Sequence, residues 1–159
     1  MTDNDIFSLG SQDFTIEMWI YPTFENSSGF HTMFNLSTSG TNWANIIWRN
    51  DNNAILFQLA SFPSNLAVIG NDWTLNQWQH VAVTRSDSTF RIFQDGTQTG
   101  TASSSVTISN PSTIWLARGA TSSDINAAYV GYIDDFRLTV DTARYTANFD
   151  VPTEAFPDS

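Results

Sequence analysis

Apolar and polar residues alternate with a period of two along much of the chain, and the alternation is broken at short intervals by Gly, Pro, Asn, Asp and Ser. Phe14, Ile16, Met18 and Ile20 alternate with Thr15, Glu17, Trp19 and Tyr21 until Pro22 ends the run. That pattern predicts a strand with one core face and one semi-polar face. Residues 78–85 and 90–94 are two runs rich in β-branched and aromatic residues, joined by Ser86-Asp87-Ser88-Thr89, and they read as a hairpin. The second run stops at Asp95-Gly96, a pair that tolerates the positive φ of a tight turn, and residues 97–102 follow as a polar third strand. In the first of these strands Trp78, His80, Ala82 and Thr84 share one face, and Gln79, Val81, Val83 and Arg85 the other. Neither face is cleanly apolar, as expected of a central strand covered on both sides in a sandwich.

Further strands are expected at 30–36, 66–69 and 114–117, and a hairpin from 43–49 and 54–60 has Asn50-Asp51-Asn52-Asn53 at its tip. A last strand covers 129–140, with Val130, Tyr132, Phe136, Leu138 and Val140 on one face interrupted by Asp134. Thr142 to Tyr145 is expected to form one helical turn, and the tail that follows runs extended, pinned by Phe149 and Phe156. No repeat of 20 to 50 residues breaks the chain. One domain over residues 1–159 is therefore expected, with 141–159 a tail packing on or beyond the sandwich.

Composition supports two packed sheets: aromatic residues make up 14% of the chain, with 12 Phe and 6 Trp, and no stretch has the period of a long amphipathic helix. The absence of cysteine removes disulfides, thiolate metal sites and a cysteine nucleophile. All six basic residues are arginine, so Schiff-base and phosphate-loop lysine chemistry is also removed. A formal charge of −10 opposes phosphate backbones and anionic membrane surfaces, so nucleic acid and membrane insertion are not expected. No apolar run approaches the roughly 20 residues that span a bilayer, and neither an anchor nor a signal peptide is expected.

The motif Trp78-Gln79-His80-Val81-Ala82-Val83-Thr84-Arg85, the Asp95-Gly96 hairpin end, and Gly131-Tyr132-Ile133-Asp134-Asp135-Phe136-Arg137-Leu138 resemble the laminin-G-like jelly-roll module of the concanavalin A-like lectin/glucanase superfamily. Phe14-Thr15-Ile16-Glu17-Met18-Trp19-Ile20-Tyr21-Pro22 is similar to its early strand, and the motifs stand in the family's order. The resemblance implies an all-β jelly-roll sandwich of two antiparallel sheets. In that family an edge strand precedes the early one. Here either Asp5-Ile6-Phe7-Ser8-Leu9 supplies it in shortened form, or another chain or upstream sequence completes the edge. The tail Thr142-Ala143-Arg144-Tyr145-Thr146-Ala147-Asn148-Phe149 with Pro152 and Phe156-Pro157 resembles the tail of such modules in bacteriophage virion proteins. It implies a non-enzymatic virion module, such as a capsid decoration, head-fibre or tail-adhesin domain, with virion proteins or copies of itself as partners. The alternative is a lectin-like module that binds a cell-surface glycan.

A glycosidase is the third reading, since the superfamily contains them. A retaining one needs two carboxyls about 5 Å apart. Glu17, Glu25 and Glu154 do not recur at even spacing on one strand, and the adjacent Asp134 and Asp135 are expected to point to opposite faces. No catalytic residue is assigned, and His80 reads as structural. No cofactor is expected. Relatives of this fold often hold Ca²⁺ through rim oxygens, which Asp72, Asp124, Asn126, Asp134 and Asp135 could supply, but no metal ligand is assigned. Asp135 can instead cap a turn or pair with Arg137 or Arg144.

Sugar binding requires flat aromatic faces beside amides, carboxylates and arginine. Trp43, Asn45, Trp48, Arg49, Asp51 and Asn52 in one hairpin form that mixture, and Trp73 and Tyr129 make a second rim. Trp43 and Trp48 can equally belong to the core or to a subunit interface, and Trp19, Trp78 and Trp115 are read as core. Arg144, Tyr145, Phe149 and Phe156 are candidates for docking the tail on a neighbouring subunit, or for covering the chain's own sandwich.

Overall fold

The computed structural model describes residues 7–24, 29–37, 43–51, 53–60, 66–108, 113–118 and 128–156, without the side chains of Trp43, Ala60 and Leu66. Among the described residues all regular structure is strand: β1 (Phe14–Pro22), β2 (Phe30–Ser37), β3 (Trp43–Arg49), β4 (Ala54–Ala60), β5 (Leu66–Ile69), β6 (Gln79–Ser86), β7 (Thr89–Gln94), β8 (Thr97–Ser103), β9 (Thr113–Leu116) and β10 (Gly131–Val140). They form two antiparallel sheets in the orders β10-β1-β6-β7-β8 and β5-β4-β3-β2-β9. This is the jelly-roll sandwich that the motifs predict.

The core lies between the sheets, where the inner positions of β1, Phe14, Ile16, Met18 and Ile20, meet Phe34, Ile46 and Phe57 of the opposite layer. Phe57 bridges the two, packing on Phe14 at 6.1 Å and stacking on Phe90 at 5.9 Å between ring centres. Each such ring removed from water contributes about 2–3 kcal/mol. Arg85 also points inward, its guanidinium over the Phe90 ring, and it donates to the carbonyls of Val106 (2.8 Å), Asp87 (2.8 Å) and Gly10 (3.2 Å). Burial pushes its pKa down, and Asp13 opposes that shift.

The turns follow local chemistry. Asp95 and Gly96 both take positive φ, +47° and +75°, as a two-residue hairpin turn of the I′ kind requires. At Gly96 a second constraint applies, because an added Cβ would run into the carbonyl oxygen of Phe149.

Four expectations need correction. Trp78 precedes β6, which starts at Gln79. Thr142 to Tyr145 forms no helical turn. Phe7, Ser8 and Leu9 form no strand, although Leu9 is in the core; Asp5 and Ile6 lie outside the described residues. Finally, β10 does not keep one face from Tyr132 to Val140. Its pairing with β1 slips between Glu17↔Arg137 and Trp19↔Asp134, with Asp135 at φ +46°. This β-bulge inverts the alternation, so Ile133, Phe136, Leu138 and Val140 pack on the core while Tyr132 is 64% exposed.

β6 is buried on both faces, as its sequence implies, but only one cover is a sheet. The other is residues 142–156, which run across the outer face of the β10-β1-β6-β7-β8 sheet as a strap. Thr15 Oγ1 donates to the Thr142 carbonyl (3.0 Å) and accepts from the Arg144 amide (2.9 Å), and Thr84 Oγ1 donates to the Tyr145 carbonyl (2.9 Å). The Phe149 amide donates to the Gly96 carbonyl (2.9 Å). Tyr145 and Phe149 stack with ring centres 3.5 Å apart and pack edge-on against Phe93.

Candidate functional site: an aromatic groove at the end of the strap

The outward residues of β1 divide in two. Thr15 and Glu17 lie beneath the strap. Trp19 and Tyr21 lie further along the same strand and line hollows at its edge. Tyr21 packs edge-on against Trp78 at 5.4 Å and against Tyr132 at 5.8 Å, so β1, β10 and the loop before β6 contribute to one aromatic row. Trp78 is 46% exposed. The loop that presents it is held in place: the Asn76 amide, at φ +58°, donates to the Pro22 carbonyl (2.8 Å), and the Gln79 side chain accepts from the Thr74 amide (2.8 Å) and donates to the Thr74 carbonyl (2.7 Å).

Trp78 forms a wall common to two adjoining hollows. One, of about 450 Å³, is lined by Trp19, Trp78, Asp134, Asp135 and strap residues 151–155. The other, of about 530 Å³, is lined by Tyr21, Thr23, Asn76, Trp78 and Tyr132. Volumes of this order accommodate one or two sugar rings. Asp134 and Asp135 both line the first hollow, against the expectation that neighbours on a strand face apart, because the bulge abolishes strict alternation there. The Asp135 amide donates to the Asp134 carboxylate (2.9 Å), while Arg137 and Arg144 turn towards Glu17.

Glu17 is fully buried and closely partnered. Arg137 reaches its Oε1 at 2.7 Å, the Tyr145 hydroxyl donates to Oε2 at 2.9 Å, and His80 Nε2 lies 3.3 Å from Oε2. Burial raises its pKa, but the close approach of His80 and the hydrogen bonds from Arg137 and Tyr145 together outweigh burial and leave it below the ordinary value of 4.5. Burial and the neighbouring Glu17 charge push the Tyr145 phenol up to about 12. Phe156 closes the cluster by stacking on the Arg137 guanidinium, 3.8 Å from ring centre to Cζ. Arg144, Tyr145, Phe149 and Phe156 are thus all engaged on the chain's own sheet.

Of the sugar-binding candidates drawn from the sequence, Trp48, Trp73 and Tyr129 are buried and present no face to a ligand. Trp48 is 1% exposed and stacks on Trp73 at 4.9 Å with planes 2° apart; Tyr129 meets Trp73 edge-on, and His31 packs against both indoles. Asp72 accepts from Trp48 Nε1 at 2.7 Å and from the Trp73 amide at 2.8 Å. These residues plug one end of the core, and burial raises the Tyr129 pKa. Asn45 and Arg49 alternate with Trp48 along β3 and so face away from it; Arg49 pairs with Asp51. Asn52 and the Trp43 side chain lie outside the described residues.

The sequence reads Trp19, Trp78 and Trp115 as core, yet Trp78 is exposed and Trp19 is half-buried on the outer face, as is Trp115 beneath Arg118 on the other sheet. The signal for Trp19 and Tyr21 was present in β1, where they alternate with the apolar positions. Of the calcium candidates, Asp124 and Asn126 lie outside the described residues, and Asp72 is held by Trp48 and Trp73. Among the described residues no three His, Cys, Asp or Glu side chains converge as a metal site, so no role is assigned to Ca²⁺.

Comparison with known proteins accords with the two-sheet fold. The laminin-G-like family model of the concanavalin A-like lectin/glucanases superfamily matches residues 2–143, up to the start of the strap. No curated protein sequence matches. Among solved structures, mouse laminin alpha1 chain domains LG4-5 superpose with a TM-score of 0.66 at 14% identity, over 92% of this chain and 40% of that one. Domain 4 of a GH43 extracellular arabinanase from Geobacillus stearothermophilus, in complex with arabinotriose, gives 0.64 at 16% identity over 81% of this chain and 60% of that one. The CBM40 of the Ruminococcus gnavus IT-sialidase, bound to alpha2,3 sialyllactose, gives 0.71 at 11% identity over 89% and 81%. Identities this low carry the fold alone. On the family match and the two-sheet architecture together, the chain belongs to the concanavalin A-like lectin/glucanases superfamily, in its laminin-G-like branch.

Proposed function

We propose that the chain is a carbohydrate-binding module whose ligand lies along the groove formed by Trp19, Tyr21, Trp78 and Tyr132. The observation that carries this reading is the exposure of Trp78 and Tyr132 around a common Tyr21, beside carboxylates and the Asn76 amide that can bond hydroxyls. Two structural neighbours are described in complex with saccharides, which supports the reading at the level of the fold. It is a reading of binding rather than turnover: of the two carboxylates a hydrolase was expected to depend on, Glu17 and Asp134, Glu17 is sealed beneath the strap and held by Arg137 and Tyr145. The virion setting expected from the tail's sequence is supported by that sequence alone, since the tail's aromatic residues are engaged within the chain.

A glycan array followed by titration calorimetry tests the proposal. Trp78→Ala and Tyr132→Ala are each expected to weaken the selected glycan by ~10-fold or more, the scale of a lost stacking face. Trp115→Ala, on the opposite sheet, is expected to leave affinity unchanged. Binding indifferent to both groove substitutions would refute the assignment.

A further inference from the structure

The charge of the groove carries the proposed function one step further, to the class of sugar. Three carboxylates, Asp134, Asp135 and Glu154, line the hollow beside Trp78, and its lining includes no arginine. The chain has no lysine to supply a cation, and each of its six arginines can be placed. Arg137, three residues beyond Asp134, is bonded to Glu17 and covered by Phe156. Arg144 faces Glu17 and donates to Thr139. Arg85 is buried in the core, Arg49 pairs with Asp51, and Arg118 covers Trp115. Arg91 pairs in register with Thr84, which lies six residues beyond Trp78 along a largely extended backbone, ~20 Å away.

We infer that the groove takes uncharged sugars and rejects anionic ones such as sialosides and uronates, although a neighbour of the same fold is described bound to sialyllactose. Ionised carboxylates accept hydrogen bonds from sugar hydroxyls and offer nothing to another carboxylate. A sugar anion seated on Trp78 would share the hollow with three like charges, and at separations of ~6 Å their repulsion in water with salt amounts to ~5-fold in affinity. The inference rests on the carbohydrate-binding reading of the same groove.

The test compares matched probes on the wild-type chain: lactose against 3′-sialyllactose, and further pairs on an array that differ only by a sialic or uronic acid. The neutral member is expected to bind ~5-fold better, and the gap is expected to narrow in 0.5 M salt and in the Asp134→Asn/Glu154→Gln variant. If the anionic member binds equally or better and binding still depends on Trp78, the inference is overturned while the carbohydrate-binding reading stands. If no glycan binds in a Trp78-dependent way, both fall.

Discussion

Burial and pairing of individual polar groups decide much of this molecule. Arg85 reaches three backbone carbonyls from inside the sandwich, and the hydrophobic part of its side chain fills space beside Phe90. Replacing it with methionine keeps most of the volume but leaves the Val106 carbonyl without this donor. We expect a loss of about 2 kcal/mol or more, measured as the denaturation midpoint at unchanged m-value. Trp48 exemplifies the opposite case: of its two readings, ligand contact or core, the core one holds, since it stacks on Trp73 and donates to Asp72. Trp48→Ala is expected to cost about 3–5 kcal/mol of stability, as removal of a large core side chain does, which sets it apart from Trp78→Ala with its effect on binding.

Among the elements, the strap is the one whose attachment can be tested by chemistry. Its anchor carboxylate, Glu17, has its pKa lowered in the folded chain, so its contribution to stability is complete above the ordinary value of 4.5 and is lost as pH falls through and below it. Tyr145 acts in the other direction: its pKa is raised, so its contribution is present below 10.0 and is lost as pH climbs towards about 12. Hydrogen exchange at the Phe149 amide is therefore expected to quicken below about pH 4.5, after correction for intrinsic rates, and Glu17→Gln is expected to remove that acid limb. Gly96→Ala attacks the same attachment from the hairpin side. It combines positive φ with a clash against the Phe149 carbonyl, and is expected to cost about 1–3 kcal/mol and to expose the strap to limited proteolysis. Because residues 151–155 wall the groove, both changes are also expected to weaken glycan binding.

For the molecule as a whole, two sheets close around one aromatic core, and the strap substitutes for a further layer on the outer face of β6. This arrangement separates two roles for the tail aromatics. If they serve the chain's own sheet, Tyr145→Ala and Phe149→Ala are expected to lower the unfolding midpoint without changing the mass measured by light scattering. Loss of a larger species on substitution would instead assign them to a contact between copies.

Most strands were legible because their determinants are local. The alternation in β1, the β-branched run of β6 and the Asp95-Gly96 turn each express a preference that residues carry with them, period-two side-chain direction and tolerance of positive φ. Which aromatic faces water is not a local property. Trp48 lies inward because Trp73 and Asp72, more than twenty positions away, meet it there, and Trp78 lies outward because its loop is tied to Pro22. Tyr132 and the Asp134-Asp135 pair reach the groove through a bulge defined by pairing with β1, and the mixed face of β6 acquires its cover from residues some sixty positions later in the chain. Sequence by itself thus determined the strands, the turns and the sandwich, since these arise from neighbours along the backbone. Only tertiary packing decided where the exposed aromatic groove is, because exposure is settled by what comes to lie opposite.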